Sequence, residues 1–71
     1  MNKEEATKAV LKMTDGDVIY INWFQESGGK VEMINGKYYL SEINQCGCEF
    51  RFNTYNKEDI GEMVNVAYSW T

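Results

Sequence analysis

An Asn35-Gly36 pair stands between two runs of β-forming residues, Lys30 to Ile34 and Lys37 to Ile43. A two-residue turn at this place needs positive φ at both central positions, which Asn and Gly tolerate best, so the pair predicts a tight type I′ hairpin. The turn fixes register. It sets Ile34 opposite Lys37, Met33 opposite Tyr38 and Val31 opposite Leu40, and because side chains alternate along a strand, every residue of both runs is thereby assigned to a face.

Two further runs, Asp17 to Gln25 and Cys48 to Tyr55, are similarly rich in β-branched and aromatic residues. Ser27-Gly28-Gly29 and Asn44-Gln45-Cys46-Gly47 are connections of hairpin length, and the four runs read as an antiparallel meander. With Ser27-Gly28-Gly29 as a three-residue loop, Trp23 falls opposite Met33. One face then carries Ile19, Ile21, Trp23, Val31, Met33, Tyr38, Leu40, Phe50 and Phe52, which is the expected core. The other carries Tyr20, Phe24, Ile34, Tyr39, Ile43 and Tyr55 beside Asn22, Glu32, Ser41 and Arg51.

Helices are expected at both ends. Asn2 followed three residues later by Glu5 has the spacing of a capping box, and Ala6, Ala9, Val10 and Met13 repeat at helical intervals behind it, predicting a helix over about 3–13. Thr14-Asp15-Gly16-Asp17 supplies the turn that ends it. Asn56 and Asp59 repeat the helix-start spacing, and Ile60, Met63, Val64, Ala67 and Tyr68 form the stripe of a second helix over about 57–70. The expected fold is α+β, in the order α-β-β-β-β-α, with the C-terminal helix across one sheet face. At 71 residues the chain is read as one domain, 1–71. A chain so short buries only roughly 60% of its unfolded surface, which gives self-association a stabilising role to play.

Composition excludes several classes of function. There is no histidine, the serines Ser27, Ser41 and Ser69 sit in no nucleophile motif, and Gly28-Gly29 does not lie between a strand and a helix as a phosphate loop must. The expectation is therefore a protein that is not an enzyme, with no cofactor and no metal. Asp15-Gly16-Asp17 reads as a turn, and Glu49 with Arg51 as solvated charges able to pair along one strand. A net charge of −4, with lysines and Arg51 spread along the chain, argues against direct binding to nucleic acid. Cys46 and Cys48, separated by one glycine, are too close for a relaxed disulfide and too few for a zinc site in one chain, so they are read as free thiols. No run of about 18 apolar residues is present and the first residues lack the apolar stretch of a signal peptide, which gives the expectation of a cytoplasmic protein without membrane contact.

The second sheet face is too apolar for a face meant to meet only water. Two readings compete for it. Either the first helix folds over it, or Tyr20, Phe24, Ile34, Tyr39 and Ile43 form a partner-binding surface. The second makes the chain a non-catalytic protein-interaction module, of the type of a small bacterial or bacteriophage accessory protein, that meets another protein or forms a homodimer. The alternative function is a small acidic inhibitor or decoy of a nucleic-acid-handling protein, acting through charge instead.

Overall fold

The computed structural model describes residues 2–70. Helix α1 spans Lys3–Leu11, and it is followed by strands β1 (Val18–Phe24), β2 (Ser27–Ile34), β3 (Lys37–Ile43) and β4 (Glu49–Tyr55). A 3₁₀ turn at Lys57–Asp59 leads into helix α2, Ile60–Tyr68. The four strands form one antiparallel sheet in the order β1-β2-β3-β4, so the chain is the expected meander with a helix on either side of it in sequence.

Helix α1 begins as its sequence dictates. The Asn2 side chain accepts from the Glu5 amide at 2.8 Å and the Glu5 carboxylate accepts from the Asn2 amide at 3.0 Å, so two otherwise unpaired donors are met reciprocally. The second start behaves differently. The Asn56 side chain makes no capping bond; its backbone carbonyl accepts from Asp59 and closes the 3₁₀ turn instead.

Both helices lie on the same side of the sheet. Ala6, Val10 and Met13 from α1 join Ile60, Met63, Val64 and Ala67 from α2 and Ile21, Val31, Tyr38 and Leu40 from the sheet in a single buried cluster. Helix α1 packs against α2 and β1, and α2 against β1 and β3. The first helix therefore does not fold over the second sheet face, because its narrow apolar stripe is consumed by α2. The molecule has two layers, and the outer face of the sheet is left to solvent.

The Asn35-Gly36 turn forms as predicted, with φ of 52° and 79° and Ile34 paired with Lys37. The first hairpin turn does not fall where the glycines are. It uses Gln25 and Glu26, both at positive φ, while Ser27, Gly28 and Gly29 belong to β2. Packing explains the shift. A Cβ on Gly29 would stand 3.3 Å from Ile21 Cγ1 and 3.4 Å from Ala67 Cβ, and one on Gly28 would stand 2.5 Å from the Asn22 carbonyl oxygen. The glycines are needed inside the sheet, where α2 and the neighbouring strand come close.

Two bulges then re-aim side chains. On β1 the register slips between Ile21 and Phe24, with Asn22 at φ 51°; on β4 it slips opposite the Leu40 to Glu42 stretch, with Arg51 at φ 58°. Each bulge adds one residue to an edge strand and inverts the alternation beyond it. Trp23 and Phe52, expected in the core, are 44% and 69% exposed. In exchange, Asn22 and Tyr55 turn toward the helices. Asn22 Nδ2 donates to the Ala67 and Trp70 carbonyls, each at 3.1 Å, and so satisfies two acceptors at the C-terminal end of α2.

Candidate functional site

The outer sheet face is built in rows across the strands. Val18, Glu32, Tyr39 and Thr54 occupy one row; Tyr20, Lys30 and Ser41 occupy the next, with Phe52 completing it beside the β4 bulge. Gly28 and Ile43 pair in a third, and Ile34 and Lys37 in a fourth at the turn end. Tyr20 is 49% exposed, Ile34 41% and Tyr39 39%. The Tyr20 and Trp23 rings lie 4.8 Å apart at 58°, a tilted aromatic pair held on the surface.

Of the five residues assigned to this face from sequence, Tyr20, Ile34, Tyr39 and Ile43 are brought together on it. Phe24 is not among them. The β1 bulge sends it past the end of the sheet, where it borders a cleft of about 400 Å³ with Asn22, Trp70 and Glu42 on the helix side. Sequence reasoning missed Trp23 and Phe52, which take its place. An asparagine inside an otherwise apolar strand, Asn22, was a usable signal for the first bulge, because Asn enters the left-handed region more readily than most residues. Arg51 carries no such signal.

The centre of the face is polar but satisfied. Lys30 Nζ lies 3.3 Å from Glu49 Oε1, and the same oxygen accepts from the buried Ser41 hydroxyl at 3.1 Å. Ile34, Tyr39 and Phe52 wall a groove of about 250 Å³ above this network. Comparison with known proteins returns no matching family model, no matching curated protein and no matching solved structure. The reading of the site therefore rests on its own chemistry.

On this face Lys30 and Lys37 stand against Glu32 and Glu49, and Glu26 lies at its end beside Tyr20, Trp23 and Ile43, while the whole chain carries −4. Glu49 pairs with Lys30 and not with Arg51, which the bulge turns toward the other layer. There Arg51 Nη1 lies 3.2 Å from Glu42 Oε1, and its guanidinium sits 5.6 Å from the centre of the Phe50 ring. The Arg51 contact with Glu42 is electrostatic only, since that buried oxygen receives no aligned hydrogen bond among the described residues.

The remaining polar groups have structural work. Asp17 accepts from the Thr14 amide at 2.9 Å and the Thr14 hydroxyl at 3.0 Å, which holds its carboxyl below the ordinary Asp range. Asp15 accepts from the Gly36 amide at 3.0 Å, tying the loop after α1 to the central hairpin turn. The Asp15-Gly16-Asp17 segment is thus a bonded turn. Burial, and secondarily the Glu62 charge, raises the Tyr55 phenol above its usual value. Cys46 and Cys48 are free and exposed in a loop held by Asn44, whose side-chain oxygen accepts from both cysteine amides. Among the described residues no three histidine, cysteine or carboxylate side chains are grouped so as to hold a metal ion, and no helix is long and apolar enough to cross a membrane.

Proposed function

We propose that this chain is a non-catalytic protein-interaction module that docks through the outer face of its sheet. The observation that carries this reading is the grouping of Tyr20, Trp23, Ile34, Tyr39 and Phe52, all exposed, on one face of a sheet whose other face holds both helices. An antiparallel sheet with a free face normally presents polar side chains there. Large aromatic side chains at such a patch supply the anchors that dominate binding energy between proteins. The bonded Lys30, Ser41 and Glu49 group adds polar contacts without leaving a charge unmet when water is displaced.

Affinity capture on the immobilised chain tests it, run beside a Tyr20→Ala/Tyr39→Ala variant. The wild type is expected to retain its partner as salt is raised, because apolar contact is insensitive to the shrinking Debye length. The variant is expected to lose the partner while its thermal transition stays cooperative and close to that of the wild type. Release of the wild-type partner by salt alone would favour an acidic decoy. Unfolding of the variant would make the two tyrosines structural and defeat the docking reading.

A further inference from the structure

We propose that the occupant of the outer face is a second copy of this chain, packed face to face about a two-fold axis running along the seam between β2 and β3; this rests on the docking reading above. The seam rows pair Gly28 with Ile43, Lys30 with Ser41, Glu32 with Tyr39 and Ile34 with Lys37. A two-fold rotation about that seam exchanges the members of each row between copies. The long Lys30 then stands over the small Ser41 of the second copy, and Ile43 over Gly28, which bears no side chain but is backed by the Asn22 and Trp23 backbone of the β1 bulge. At the flanks β1 comes over β4, so the Tyr20 and Trp23 pair meets Phe52. A large side chain faces a small one in the Lys30 and Ser41 row, and aromatic side chains meet at the edges.

Electrostatics favour this occupant. The face carries two lysines, Lys30 and Lys37, against three glutamates, Glu26, Glu32 and Glu49, while the chain carries −4, so most of the excess negative charge lies on the rest of the molecule. Face-to-face packing puts the two helical layers on opposite outsides, where the two excesses are farthest apart. Glu32 and Lys37 enter no ion pair among the described residues. They lie in adjacent rows on opposite sides of the axis, which brings Glu32 of each copy beside Lys37 of the other. The competing route, sheet extension through an edge, is blocked at both ends because β1 and β4 are the edge strands and each carries a bulge.

Sedimentation equilibrium over micromolar to millimolar concentrations, with isotope-filtered NMR on a mixture of labelled and unlabelled chains, tests the arrangement. The wild type is expected to reach twice the chain mass and to show contacts between the Tyr20 and Phe52 rings. Within one chain these sit on strands about 14 Å apart, so such contacts arise only between copies. Ile43→Glu and, separately, Phe52→Ala are expected to raise the dissociation constant at least about tenfold. Phe52 is exposed, so its variant decides the matter should Ile43→Glu fail to fold. Glu32→Lys and Lys37→Glu should each weaken the dimer and together restore it. A wild type that stays monomeric at millimolar concentration overturns self-pairing while leaving capture of a different protein to decide the docking reading. A dimer that lacks the Tyr20 to Phe52 contacts, or that survives both variants, overturns the proposed geometry.

Discussion

Two glycines show how differently the same residue type is used here. Gly28 sits at φ 149° with the Asn22 carbonyl oxygen 2.5 Å and the Trp23 Cα 2.9 Å from where a Cβ would stand. Both obstacles are backbone and cannot rotate away, so Gly28→Ala is expected to cost about 2 kcal/mol or more in chemical denaturation. An unchanged midpoint would mean that the β1 bulge yields easily. Gly61 lies in α2 with nothing within 4 Å of its would-be Cβ. Gly61→Ala should therefore raise stability by up to about 1 kcal/mol, read as a higher Tm. Asp17 gives a pH effect of definite sign. Its folded-state pKa lies below the ordinary Asp value, so the bonds from Thr14 contribute stability above the unfolded pKa and lose it as pH falls through the folded one. Asp17→Asn should flatten that acid limb, as measured by unfolding midpoints between neutral and strongly acid pH.

At the scale of elements, α1 and the central hairpin could be read directly, because their signals are local. The Asn2 and Glu5 box involves residues three apart, and the Asn35-Gly36 turn needs only its own φ angles. The first hairpin could not be read this way. Gln25 and Glu26 have no preference for positive φ, and they occupy the turn because Gly28 and Gly29 are held in β2 by Ile21, Asn22 and Ala67. A local preference yields there to contacts some forty residues away in sequence. Helix α2 has the opposite character, with an apolar stripe plain in the sequence and an unremarkable start. Ile60, Met63, Val64 and Ala67 supply much of the buried cluster, so a chain ending at Tyr55 is expected to be unfolded or aggregated. A soluble 1–55 fragment with a cooperative melt would show that α1 alone can cover the sheet.

The whole molecule is a two-layer α+β structure of 29 × 22 × 16 Å with one face closed by helices and one open. That asymmetry is what makes Tyr20, Trp23, Ile34, Tyr39 and Phe52 a site and not a second core. It follows from the width of the α1 stripe. Ala6, Val10 and Met13 can bury against α2 and β1 on one side only, and no third layer remains for the outer face. The Tyr20→Ala/Tyr39→Ala variant tests this at the same scale: side chains on an open face are expected to shift the melting temperature little, since surface substitutions cost within about 0.5 kcal/mol.

By itself, the sequence determined the order of elements, the central register and the apolar character of a second sheet face, because each is set by residues close together in the chain. Tertiary structure decided which aromatic side chains that face presents. A bulge on each edge strand inverts alternation beyond it, moving Trp23 and Phe52 outward and Asn22 and Tyr55 inward. Phe24 leaves the site through the same bulge that gives Asn22 its bonds to the end of α2. Those bonds join residues 45 and 48 positions apart, and no local pattern encodes a register that depends on where a distant helix ends.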